Sequence, residues 1–371
     1  MTLAYKWIFA LALIGLGSPA VADTPARSEY TRTIKKEFGI APNGTTAISN
    51  KYGKVDIKTW DRERVKIAVT IVVNARSEDD AQDVFERIQV DFSNASDYVK
   101  AETNIEPRKS RWFSWNDNSK SDYRINYEVY LPKTNNLEIE HRYGDLYVSA
   151  ISGKVNMDVK YVNFKMQELG DDSRVSFSYG NGAINRAHDL VMTIGYGKLN
   201  LEEAMDLNME TKYSEVRVGK ADDVNCETKY DTYAFEVVRD FRNTGKYDNF
   251  SIGRADNVEL QSKYTQFDAG YINQNIDLDM EYGGAVFALT DNFTDCQING
   301  RYTDFALTVP ENAEYQLDAA TTYAGIRYPQ DLNVLFEKEQ SSSHELRGSV
   351  GNGRGKILAR LTYGSLKVRT E

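Results

Sequence analysis

Side chains able to do chemistry are scarce and scattered in this 371-residue sequence. The three histidines, His141, His188 and His344, are too widely spaced to suggest a zinc-ligand set or a Ser/His/Asp triad. Cys226 and Cys296 are the only cysteines, too few for a disulfide framework. Gly348, Gly351, Gly353 and Gly355 before Lys356 imitate a phosphate loop. However, Val350 stands where a Walker motif needs glycine, and Ile357 where it needs Ser or Thr, so the segment reads as a glycine-rich turn. Carboxylates number 55, so no single pair stands out as an acid/base couple. No catalytic residue, metal or cofactor is expected, and the chain is not read as an enzyme.

Two features have the residue types of a binding surface. Lys212, Lys229, Lys246 and Lys263 recur every 17 residues, each directly before a tyrosine, with Arg142, Lys160 and Arg301 at equivalent places. Like charges brought close together repel unless neighbours or a polyanion compensate them. The ladder is therefore either a solvated face partly paired by Glu210 and Glu227, or a docking stripe for an anionic glycan or envelope surface. The second feature is the Lys109–Asp122 segment, which sets Trp112, Phe113 and Trp115 among Ser, Asn, Asp and Lys. Exposed aromatics of this size mark contacts with sugars or proteins; the competing reading is a hairpin tip folded back on the N-terminal part of the chain.

Composition limits the partners. With 45 Lys plus Arg against 55 Asp plus Glu, the formal charge is −10, so free nucleic acid is a poor partner. Residues 1–22 read as a signal peptide: Lys6, an apolar run from Trp7 to Leu16, then Ala20-Val21-Ala22 as a cleavage site. No later segment offers ~18 uncharged apolar residues, so no transmembrane helix is expected. The expected location is periplasm, cell surface or secreted, and the expected state is a monomer.

The elements that must position these residues come from an internal repeat. Tyr143, Tyr161, Tyr179, Tyr196, Tyr213, Tyr230, Tyr247, Tyr264, Tyr282, Tyr302 and Tyr323 follow one another at 17 or 18 residues and later at 20 or 21. Six and four residues before most of these tyrosines the chain is apolar, as in Leu207/Met209 and Val258/Leu260, with Ser173 and Asn243 among the exceptions. Alternation of that kind marks a strand with one buried face. Past the tyrosine the apolar positions fall at plus three and plus five, so a turn must intervene, and Gly144, Gly180, Gly197 and Gly283 are expected to supply it at positive φ. The tyrosines follow inward parity and are expected to stack at a strand end with their hydroxyls toward the turn. Cys226 and Cys296 fall on inward positions about 19 Å apart by strand spacing, and read as small buried hydrophobes.

A unit of about 17 residues cannot bury its own apolar face, whereas stacked units can. The expected fold is all-β: a parallel β-solenoid with an N-terminal cap holding one short helix and extra strands, and a C-terminal strand cap. Its divisions are 1–22 signal peptide; 23–136 cap including a first rung at 46–57; 137–328 central repeats; 329–371 C-terminal cap with a last rung at 357–368. Strands are expected at Val65–Val73 and Tyr123–Leu131, and a helix at Glu78–Ile88 with Ser77 and Asp80 in capping-box spacing.

The run Asn50-Lys51-Tyr52-Gly53-Lys54-Val55-Asp56-Ile57, the helix after Ser77 and the Tyr-Gly rungs together resemble a family of exported bacterial β-solenoid proteins, candidate adhesins with a domain of unknown function common in Bacteroidetes. The resemblance covers roughly residues 28–370. It implies fold and exported location but no catalytic residues. The function it implies is adhesin-like binding of an envelope glycan or protein partner. The alternatives are an accessory to envelope-stress sensing and, third, a β-helix enzyme acting on polysaccharide.

Overall fold

The structure, a computed structural model, describes residues 27–107 and 122–371. The expected signal peptide and the Trp112, Phe113 and Trp115 segment lie outside the described residues.

The repeat folds as a parallel β-solenoid. Fifteen-residue strands such as Lys198–Lys212, Glu215–Lys229, Thr232–Lys246 and Asn249–Lys263 each run from two residues past one tyrosine to the residue before the next. Each pairs in parallel with the strand 17 residues later, so Leu207 lies on Val224 and Met209 on Cys226. Because the register equals the repeat, the inward columns through Leu199, Leu201, Leu207 and Met209 stay largely apolar along the stack, Asn243 interrupting the last. Leu199, Leu201, Leu207 and Met209 are buried, as are their counterparts one rung on, Val216, Val218, Val224 and Cys226. Burying each such side chain contributes roughly 1.5–3 kcal/mol, and only stacking provides the burial. Cys226 and Cys296 are free and buried in this core, where desolvation pushes both thiols above their ordinary range.

At the N-terminal end, Thr45–Trp60 is a first rung paired in parallel with Asn136–Val148. Its open side is closed by Tyr98–Ile105 and Asp122–Pro132, both parallel to it. The antiparallel strands Ile88–Asn94, Arg64–Ala75 and Ser28–Gly39 complete the cover. The helix runs Glu78–Arg87, with Ser77 accepting the Asp80 amide and Ala81, Val84 and Phe85 buried.

The C-terminal end differs from a simple succession of rungs. Gly355–Thr362 pairs with Asp295–Val309 on one side and Tyr315–Thr322 on the other, Ile357 lying between Cys296 and Leu317. The last rung in sequence is thus the penultimate rung in space. The segment that follows Tyr323 makes the end cover instead: Ser343–Val350 and Asn333–Gln340 add antiparallel to Tyr315–Thr322.

Two further expectations fail at the corner. Thirteen tyrosines, from Tyr52 to Tyr363, themselves adopt left-handed φ of 53–65°, while of the glycines that follow a tyrosine only Gly53 has a positive φ. A left-handed residue shifts the inside-outside alternation, so the tyrosine and the residue before it both point outward and the next residue points in. Twelve of the rings are accordingly 39–59% exposed rather than internal. The glycines serve closeness instead: a Cβ on Gly180 would collide with the carbonyl of Val162.

Candidate functional site

The tyrosine corner has a hydrogen-bonding problem that the sequence solves locally. Tyr196 N–H donates to the Lys212 carbonyl of the next rung at 3.0 Å, and Lys198 N–H to Gly180 of the previous one at 3.1 Å. The amide between them points along the corner and needs another acceptor. The inward side chain of the following rung supplies it. Ser214 Oγ accepts from Gly197 N–H at 3.4 Å, Asp231 Oδ1 from Ser214 N–H at 2.7 Å, and Asp248 Oδ1 from Asp231 N–H at 2.9 Å. Asp231 and Asp248 are 2% and 1% exposed, and hydroxyls of Thr211 and Thr228 complete their bonding at 2.7 and 2.8 Å. Burial raises both carboxyl pKa values, Asp248 to about 6. His141 belongs to the same interior: its ring nitrogens meet the Gly53 and Asn50 carbonyls at 3.0 and 3.2 Å, and burial lowers its pKa.

Outside this corner the tyrosine rings form one continuous column. Thirteen rings stack at 4.6–5.3 Å with interplanar angles of 1–17°, Tyr363 seated between Tyr302 and Tyr323. At the rung spacing the column is on the order of 60 Å long. Each interior ring covers its neighbours' faces, so ring edges and hydroxyls are what solvent meets.

The lysine ladder flanks this column, as its register requires: Lys212, Lys229, Lys246 and Lys263 lie on consecutive strands. Lys212 and Lys229 reach over Tyr213 and Tyr230, 5.4 and 5.6 Å from the ring centroids. Lys263 pairs with Glu281, which raises the lysine pKa and lowers the glutamate's. Among the described residues no carboxylate oxygen lies within 4 Å of the Lys212, Lys229 or Lys246 ammonium group, although Asp231 accepts from the Lys229 backbone N–H at 2.8 Å, so Glu210 and Glu227 do not form the ion pairs expected of them. Beside the ladder a shallow cleft of about 660 Å³ opens where Ser178 and Gly195 replace long side chains. The Trp112, Phe113 and Trp115 segment is outside the described residues and is not placed relative to this stripe.

A second ladder escaped the sequence reading. Asp189, Asp206, Asp223 and Asp240 stack in register at the opposite corner, continued by Asn257 and Asn275. Arg239 bridges Asp223 and Asp240 at 2.7 and 3.1 Å. Desolvation, followed by neighbouring carboxylates, raises the pKa of Asp189. Reading the position seven before each tyrosine would have revealed the column. No group of His, Cys, Asp or Glu among the described residues is arranged to hold a metal ion, and no described helix is long and apolar enough to cross a membrane.

Among solved structures, the chain aligns with a candidate cell adhesion protein from Clostridium sporogenes at 9% identity, over 92% of this chain and 100% of that one, with a TM-score of 0.19. It aligns with a candidate adhesin from Bacteroides fragilis at 11% identity, over 92% and 97%, TM-score 0.22. A candidate lipid binding protein from Parabacteroides distasonis aligns at 12% identity, over 75% and 93%, TM-score 0.25. No curated protein matches the sequence. The family model Toastrack DUF4097 matches residues 46–369, from the first rung through the inserted last one, and the chain therefore belongs to the Toastrack DUF4097 family.

Proposed function

We propose that this protein is an exported, non-catalytic binding protein with an adhesin-like role, docking an envelope glycan or an envelope protein along its tyrosine corner. The observation that carries this reading is the solvent-facing column of stacked tyrosines, with three lysines on consecutive rungs whose ammonium groups form no ion pair among the described residues. A surface of this kind offers hydrogen-bond donors and positive charge at a fixed pitch, which suits an extended partner. The groups most suited to nucleophilic or acid-base chemistry support a non-catalytic role: Cys226, Cys296 and His141 are packed inside the core.

The test is retention on intact bacterial envelopes. Wild-type protein is compared with a Lys212→Gln/Lys229→Gln/Lys246→Gln variant and a Trp112→Ala/Trp115→Ala variant. The lysine variant is expected to wash off while keeping the wild-type melting temperature, since these side chains are at the surface. Equal retention of wild type and the lysine variant would remove the corner from the binding site.

A further inference from the structure

We infer that the ligand of the tyrosine corner is a linear polyuronate, a glycan whose carboxylates and hydroxyls both recur along an extended chain. This deepens the docking reading above and rests on it.

Three outward rows run side by side at the rung spacing. The first is cationic: the ammonium groups of Lys212, Lys229 and Lys246, without carboxylate partners within 4 Å among the described residues. The second is the phenol row, with Tyr213, Tyr230 and Tyr247 at 4.8 and 4.6 Å. The third is hydrogen-bonding, with Thr232 and Asn249 exposed and in register after Glu215, whose carboxylate is already paired with Lys198 and Arg217.

Each row restricts the ligand differently. The lysines ask for an anion repeated along a line, and binding it releases counterions. The third row adds nothing for a bare polyanion but suits hydroxyls beside the charge. The phenol row rejects a common mode of sugar recognition. Stacking a neutral sugar ring on an aromatic face needs an open face, and here each face is covered by the next tyrosine, leaving O–H groups and edges. A polymer with one carboxylate and several hydroxyls per residue meets all three rows, whereas a neutral glucan meets only the last two.

Binding is measured by biolayer interferometry of the full-length mature protein against immobilised alginate, with dextran as the neutral glycan and inorganic polyphosphate as the anion without hydroxyls. Alginate is expected to bind, dextran not, and polyphosphate more weakly than alginate. The alginate affinity should fall with salt at a log–log slope of about −2, for three lysines at ~0.7 each. Lys212→Gln/Lys229→Gln/Lys246→Gln should weaken it roughly a hundredfold, at about fivefold per lysine, and flatten the salt slope. Tyr230→Phe/Tyr247→Phe, which keeps the stack and removes two hydroxyls, should weaken it several-fold. Equal binding of dextran, equal or tighter binding of polyphosphate, or an unweakened triple variant each overturns the inference. Retention on envelopes without alginate binding overturns the polyuronate and leaves the docking reading standing; retention on neither removes both.

Discussion

Asp248 gives the sharpest test of the corner mechanism. Its carboxylate is 1% exposed and accepts bonds from Asp231 N–H and the Thr228 hydroxyl at 2.9 and 2.8 Å. Burial outweighs these bonds and raises its pKa from 3.8 to about 6. A pKa raised by folding means that the folded state favours the protonated form. The stabilisation is complete below the unfolded value, near pH 4, and is lost as pH rises through 6. A shift of about two units corresponds to on the order of 3 kcal/mol between pH 4 and 7, of which about half is recovered on acidifying from 7 to 5. Buried Asp231 is shifted in the same direction. Surface acids such as Glu215 and Glu281, whose pKa values are lowered, pull the other way only near and below 4.5, whereas buried His141, whose pKa is lowered from 6.5, loses stability as pH falls through 5–7, so the corner is read as the difference between wild type and Asp248 variants.

The assay is urea denaturation at pH 5, 6 and 7 for wild type, Asp248→Asn and Asp248→Ser. The Asp248 carboxyl should contribute about 1.5 kcal/mol more at pH 5 than at pH 7, read as wild type minus Asp248→Asn at each pH. Asn removes the charge but turns an N–H toward one donor, a cost of about 1–3 kcal/mol that offsets most of the relief at pH 7. Its stability should therefore be near wild type at pH 7 and fall about 1.5 kcal/mol below it at pH 5. Ser copies Ser214, whose Oγ already serves the equivalent corner, and guards against failure of the Asn variant to fold. Equal pH slopes in all three proteins would refute the corner argument.

Three further outcomes follow from the geometry. Gly180→Ala drives a Cβ into the Val162 carbonyl, so the rungs must part locally; a loss of more than about 2 kcal/mol is expected in denaturant titration, within the usual range for a substitution that strains the backbone. Tyr247→Gly should cost no more than about 2 kcal/mol, because relief of the left-handed strain offsets much of the two lost stacking contacts, whereas Tyr247→Val keeps the strain, loses both contacts and should be more strongly destabilised in the same titration. Truncation after residue 354 removes the strand between Asp295–Val309 and Tyr315–Thr322, so limited proteolysis should cut the 310–350 region readily in the truncated protein and slowly in the full chain.

The sequence made the repeat legible because side-chain alternation and the stacking register share one period. Leu207, Val224 and Phe241 announce the same inward position whether or not the structure is known. The direction of the tyrosines was not legible. Parity counting assumes continuous strand, and a single left-handed residue breaks it; a side chain such as tyrosine gives no compositional sign of that conformation, whereas the neighbouring glycines give a false one. The insertion of Gly355–Thr362 between two earlier rungs was hidden for a related reason: the repeat marks Ile357 and Tyr363 as a rung but not which rungs are its neighbours. Of the candidate site, the lysine ladder was visible as a periodicity. Its unpaired state was not, since Glu210 and Glu227 are two residues away in sequence yet form no ion pair with it.

The conformation of the tyrosines bears on why the column exists. Glycine could occupy the left-handed corner without strain, while a residue with a Cβ costs about 1–2 kcal/mol there. Ring stacking returns about 0.5–1.5 kcal/mol per contact, so each rung comes out close to even. Stability alone therefore gives little reason to prefer tyrosine over glycine at thirteen corners out of thirteen. What tyrosine adds that glycine does not is an outward row of hydroxyls at fixed pitch, held rigid by the neighbouring rings and flanked by ammonium groups. The near-cancellation within the fold leaves that presented surface as the net product of the repeat, which supports the proposed binding role along the corner rather than in any single pocket.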